Sequence, residues 1–125
     1  MAKINTFKEL RVWQNSIEFV VAIYRITDNF PKHELYSLTN QIRRAAVSVP
    51  SNIAEGHVRE SLKEYLHHLS IAQASLSEVE TQLIISLRLD YLNEIDFSQM
   101  ESDIRLIEKQ LRTLRSSLKN RDENG

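Results

Sequence analysis

A chain of 125 residues with a formal net charge of −1 and no cysteine is long enough for one domain with its own core. It excludes a disulfide scaffold, thiol chemistry and a surface that is basic all over, and the lack of thiols fits a reducing cytoplasm. The stretch MAKINTFKELRVW has no apolar h-region, and charges interrupt every apolar run, so neither a signal peptide nor a membrane span is expected. Glycine occurs only at 56 and 125 and proline only at 31 and 50. So few breakers predict an all-α chain.

Helix 1 is predicted from Phe7 or Glu9 to Phe30. Leu10, Trp13, Ile17, Val20 and Tyr24 form one apolar stripe at 3-4 spacing. Val12, Phe19, Ile23, Ile26 and Phe30 form a second, about 100° around the helix. So wide an arc exceeds what one bundle neighbour covers, which implies deep burial or contact with another subunit. Pro31 ends the helix by pushing residue 30 out of helical geometry. Helix 2 is predicted to start between Glu34 and Ser37 and to end at Glu55, with Gly56 as a left-handed cap. Leu38, Ile42, Ala45, Ala46, Val49 and Ile53 keep phase across Pro50, which predicts one kinked helix.

Helix 3 is predicted from Ser61 to Leu89, opened by a Ser61/Glu64 capping box. Its core stripe is Leu62, Tyr65, Leu69, Ala72, Leu76, Val79 and Leu83. Helix 4 is predicted from Asp96 or Phe97 to Lys119, on the heptad Phe97, Met100, Ile104, Ile107, Leu111, Leu114 and Leu118. Short connections favour an antiparallel up-down-up-down four-helix bundle. A single domain is expected over residues 1–120, with residues 121–125 a disordered tail.

The enzyme readings fare poorly. A di-iron bundle needs two Glu-x-x-His motifs on separate helices plus two further inward glutamates. Only Glu64–His67 has that spacing, and Glu18 and Glu108 lie off the apolar stripes. His67 and His68 point about 100° apart on a helix and share a tetrahedral zinc site poorly. His33 and His57 have no well-spaced ligand beside them. Glycine is too scarce for a phosphate loop, and no nucleophile elbow is present. The expectation is a protein without catalytic residues, metal or cofactor.

Charge is more informative. Residues 78–103 hold seven acids and one base, whereas residues 105–121 hold six bases and the single acid Glu108. Acids at the start of helix 4 and bases at its end complement the helix macrodipole. The same bases form a face suited to nucleic-acid phosphate or an acidic partner. No aromatic stacking platform lies beside them, since Trp13, Phe19, Phe30 and Phe97 fall on core stripes.

The stretch QIRRAAVSVPSNIAEG, residues 41–56, shows three faces on a helical wheel. One is the core stripe. The second is Gln41, Arg44, Ser48, Asn52 and Glu55. The third is Arg43, Val47, Pro50 and Ala54. Proline in a helix interior costs about 3 kcal/mol or more, because it removes an N–H and displaces a carbonyl. Ser48, Ser51 and Asn52 can satisfy the disturbed backbone, and the small residues let another helix approach closely. Arg44 and Glu55 lie about three turns apart, so each needs a partner on another helix or subunit. Arg43 and Arg44 are also candidate phosphate ligands.

At these residues the chain resembles the bacterial four-helix-bundle family of 23S rRNA intervening-sequence proteins. FKELRVWQNS, FPKHELYSLTNQIRRAAVSVPSNIAEG, YLHHLSIAQASLSEVETQL and LDYL carry the likeness, from Phe7 to Leu92. The helix 2 motif ending in SNIAEG is its most specific part. The resemblance implies a ring-shaped homopentamer of four-helix bundles, some members being encoded inside large-subunit ribosomal RNA genes. A similar bundle, the accessory variability protein of diversity-generating retroelements, also forms a pentamer and engages nucleic acid and a reverse transcriptase. By that likeness the candidate contacts for RNA, DNA or a protein partner are Arg43, Arg44, Arg59, Arg105, Lys109, Arg112, Arg115 and Lys119. The alternative is an interaction scaffold, in which the extra arc of helix 1 and the third face of helix 2 are buried between subunits.

Overall fold

The computed structural model describes residues 6–124, which contain four α-helices and no strand. These are α1 (Arg11–Thr27), α2 (Leu38–His57), α3 (Leu62–Arg88) and α4 (Glu94–Asn124), with short 3-10 turns at Phe7–Glu9 and Lys32–Glu34. None is long and apolar enough to cross a membrane. Each helix packs against the next in the chain, and α4 returns to α1.

Of the two apolar stripes of α1, the core takes Val12, Phe19 and Ile23, with Phe30 beyond the helix end. Ser16 and Thr27 complete that buried face, and each turns its hydroxyl back onto a carbonyl four residues earlier, Val12 and Ile23. The other stripe is left largely outside: Trp13, Ile17 and Val20 are half-buried and Tyr24 is exposed. The helix also proves shorter than the sequence suggests. Its first residues form the 3-10 turn, capped by the Thr6 hydroxyl, and Leu10 is extended. At the other end α1 stops at Thr27, where the Asn29 and Phe30 amides bond three residues back, to Ile26 and Thr27. That tightening is the usual response of a last turn facing a proline.

The α2–α3 pair is the tightest contact. Ser48 Oγ lies 2.8 Å from Ser75 Oγ, and the Asn52 amide donates to the Ser48 carbonyl and hydroxyl at 2.9 and 3.0 Å. That leaves Asn52 Oδ1 as the acceptor for His68 Nδ1 at 3.0 Å. Further along, His57 Nδ1 pairs with the Tyr65 hydroxyl at 3.1 Å. Numbers rise on one helix as they fall on the other, so the two run antiparallel. Helix α2 passes through the buried Pro50 without interruption.

Gly56 departs from expectation. It is helical rather than left-handed, and α2 continues to His57. Its reason is space: a Cβ there would lie 2.9 Å from the His68 Cβ and 3.2 Å from the Tyr65 carbonyl oxygen. Glycine is therefore what allows α3 to approach the last turn of α2. The left-handed residue is instead Asp90, with φ 63°. It follows α3 in a Schellman closure, with the Asp90 and Tyr91 amides bonding the Leu87 and Ser86 carbonyls.

Ser61 caps α3 through the Glu64 amide at 3.1 Å. Leu69, Ala72, Leu76, Val79 and Leu83 are buried as expected, while Leu62 and Tyr65 are only half-buried. Asn93 caps α4 by accepting the Asp96 amide at 2.7 Å. Met100, Ile104, Ile107 and Leu111 fill the core, each contributing roughly 1.5–3 kcal/mol of burial. The helix continues past Lys119 to Asn124, through the stretch expected to be disordered; residue 125 lies outside the described residues.

Candidate functional site

The eight basic residues singled out in the sequence divide into two groups. Arg43 is an internal clamp. Its Nε donates to Thr27 Oγ1 at 2.9 Å, a terminal nitrogen reaches the Tyr24 carbonyl at 3.3 Å, and its guanidinium lies 4.7 Å from the Tyr24 ring centre. Asp28 stands 3.8 Å away, and only 20% of the Arg43 side chain is exposed. It thus closes the carbonyl end of α1, a task for a cation near a helix C-terminus. Arg59 pairs with Glu55 at 2.9 Å, which gives Glu55 a partner four residues on rather than on another helix or subunit. Arg115 donates to Gln73 on α3 at 3.1 Å and is half-buried.

Arg105 crosses from α4 to Glu80 on α3 and also holds Glu108 at 2.8 Å. Its hydrogen bonds to the two carboxylates, Glu80 first, push its already high pKa further up. A single guanidinium thus engages both Glu80 and Glu108 and offsets one of their two charges.

Arg44, Lys109, Arg112 and Lys119 are exposed and make no hydrogen bond or ion pair with a described side chain. Arg44 stands apart on α2. The other three share one side of α4, at the 3-4 spacing that keeps residues on a common helical face. Contacts of Arg105 with Glu80 and Arg115 with Gln73 turn that side toward α3. There the exposed strip is Lys63, Ser70, Ala74, Ser77 and Thr81, a part of the surface that reading α4 alone misses. Its signal in the sequence is the short-side-chain spacing outside the core stripe of helix 3.

A second surface lies on the opposite flank. Phe7, Trp13, Ile17, Val20 and Val21 face Val47, Pro50, Ser51 and Ala54 across a groove of about 350 Å³. Phe7 meets Trp13 edge-on at 5.3 Å. This groove joins the leftover stripe of α1 to the third face of α2. A polar cleft of about 480 Å³ lies at one end of the bundle, lined by Arg25, Asn29, Asp90, Tyr91, Asn93 and Asp96 among others. Among the described residues, no three His, Asp or Glu side chains converge as a metal site would require. Glu64 and His67 are both exposed.

Known proteins place this arrangement. Among solved structures, the chain is similar to a protein of unknown function from the S23 ribosomal protein family of Bacteroides thetaiotaomicron, at 26% identity and a TM-score of 0.75. The likeness covers 83% of this chain and 97% of that one. No functionally curated protein matches. The sequence profile of the 23S rRNA-intervening sequence protein matches residues 8–113, a span that takes in the clamp of α2 on α3 and α4 as far as Thr113, and ends before Arg115 and Lys119. The chain belongs to the 23S rRNA-intervening sequence protein family.

Proposed function

We propose that this protein is a non-enzymatic, cytoplasmic homo-oligomer that binds nucleic acid along the α3/α4 seam. Each subunit is a single antiparallel up-down-up-down bundle with α2 bent at Pro50. The observation that carries the reading is the state of the charges. Lys109, Arg112 and Lys119 are open beside short side chains of α3, while Arg105 engages the two nearby acids. Open cations attract phosphate and release counterions on contact, whereas paired ones must first break a bond. Assembly uses the apolar α1/α2 groove, and the family resemblance makes a pentamer the expected state.

Size-exclusion chromatography with light scattering tests both parts, with the absorbance ratio reporting co-purified nucleic acid. A pentamer is expected at micromolar concentration, together with RNA or DNA binding at roughly 50 mM salt, where phosphate contacts are strong. A monomer rejects the assembly, and the absence of binding at that salt rejects the nucleic-acid role.

A second reading rests on the groove itself. So continuous an apolar lining also suits an interaction scaffold whose oligomer presents a surface to an unidentified protein. An assembled protein that binds no nucleic acid would favour it.

A further inference from the structure

We infer that the α3/α4 seam reads the phosphate backbone of double-helical nucleic acid without regard to sequence, and disfavours single strands. The inference rests on the nucleic-acid role proposed above and specifies its substrate class.

Three observations carry it. First, the open cations lie on a rigid line. Lys109, Arg112 and Lys119 occupy one side of a continuous helix. At 1.5 Å per residue they span about 15 Å, the axial rise of about four phosphates on one strand at 3.4 Å each. Such a line matches a regular backbone better than a wandering one. Second, the facing strip of α3 is low. Ser70, Ala74 and Ser77 have short side chains, all exposed, so a duplex can come close enough for the α4 cations and Lys63 to reach phosphates. The Ser70 and Ser77 hydroxyls can donate to phosphate oxygens.

Third, the seam carries little equipment for single strands and for bases. Single-strand binding draws on aromatic rings that stack with successive bases. The exposed tyrosines are elsewhere, and the ring beside the strip is the small imidazole of His67. Tyr24 lies beneath Arg43 on α1, and Tyr36, 90% exposed, precedes α2 at the opposite end of the bundle from the basic run. Tyr65, near the seam's end, is half-buried and bonded to His57. Base reading needs planar, bidentate groups free to enter a groove. Gln73 and Arg115 hold each other and Arg105 is held by two carboxylates, which leaves Arg112 as the one open guanidinium among the described residues of the seam.

Fluorescence anisotropy of the full chain tests this with labelled 20-base-pair RNA and DNA duplexes of two unrelated sequences. The matching single strands and poly-glutamate complete the set. Duplexes are expected to bind at least about fivefold tighter than single strands, with the two sequences within about twofold, as contacts confined to phosphate require. The RNA and DNA arms show whether either helical form is favoured. The double variant K109E/R112E removes two of four open cations, counting Lys63 and Lys119. Its salt slope should fall to about half, with affinity lowered at least about tenfold at low salt and the thermal midpoint unchanged. Single strands bound as tightly as duplexes, a strong preference for one sequence, or poly-glutamate bound as well as duplex would each overturn the inference while leaving anion binding intact. No binding in any arm overturns the nucleic-acid role itself.

Discussion

The two flanks of the α2–α3 pair finish their surfaces in opposite ways. On one side α1 supplies two apolar stripes, and the core has room for only one, so Trp13, Ile17, Val20 and Val21 are left lining an open groove. On the other side α4 supplies one narrow apolar seam, all of its fully buried positions filling the core, and the rest of the helix is free to be charged. The difference lies in stripe width. A helix whose apolar arc is wider than its neighbours can cover keeps an apolar outer face, and one with a strict heptad does not. The middle pair is different again. It is held by short hydrogen bonds between small polar residues, with a glycine set at closest approach.

Substituting the two faces of α1 in turn breaks this comparison most sharply. Phe19→Ala, on the core stripe, is expected to cost about 3–5 kcal/mol in urea denaturation. Val21→Ser, on the groove, should change subunit stability by no more than about 0.5 kcal/mol while weakening self-association in light scattering. If both lower the stability of the isolated subunit alike, the groove belongs to the core and the distinction fails.

Gly56→Val probes the middle pair. The added side chain meets the His68 Cβ and the Tyr65 backbone, neither of which can swing away, so a loss of about 1–3 kcal/mol is expected in thermal or urea denaturation. Were Gly56 only a flexible cap, the variant would unfold like the native chain.

Arg105→Ala sharpens the account of the α3/α4 flank. Its ion pairs are exposed, so stability should fall by only about 0.2–1 kcal/mol. Affinity for a duplex should fall by more than the loss of a neutral residue allows, because Glu80 and Glu108 are returned to the seam uncompensated. Equal affinity of variant and native protein would mean that the acids do not matter to the surface.

Alkaline titration separates the two ends of the bundle. Burial raises the Tyr65 pKa against the lowering effect of Arg121, and the hydrogen bond with Glu34 raises that of Tyr91. A tyrosine whose folded pKa lies above its unfolded value of about 10 stabilises fully below that pH and loses its contribution as pH rises through the folded pKa. The denaturation midpoint should therefore drop above about pH 10, and drop less in Tyr65→Phe and in Tyr91→Phe. A midpoint insensitive to both substitutions would contradict this.

The smallest effect is expected at Thr39, whose buried hydroxyl has no hydrogen-bond partner among the described residues. Thr39→Val keeps the shape and removes an unmet polar group, so stability should be unchanged or rise by up to about 1 kcal/mol. A clear loss would reveal a partner for that hydroxyl.

The basic run shows how unevenly function is written in the chain. Lys109, Arg112 and Lys119 are legible as a shared face because helical spacing alone groups them. That Arg43 and Arg115 are held within the chain is not legible, since their partners, Thr27, Tyr24 and Gln73, come from other helices. The same holds for the contribution of Ser70 and Ser77, which reach the seam only through the packing of α3 on α4.

What the sequence determines by itself is local. Scarce glycine and proline, 3-4 apolar spacing and the Ser61 cap specify four helices, because backbone geometry and side-chain periodicity act over a few residues. Tertiary structure alone decided which α1 stripe is buried, why Gly56 is a glycine and which arginines are occupied. Each of these depends on the distance between atoms far apart in the chain, and a hydrogen bond or a clash is settled within tenths of an ångström, a scale that residue spacing does not encode.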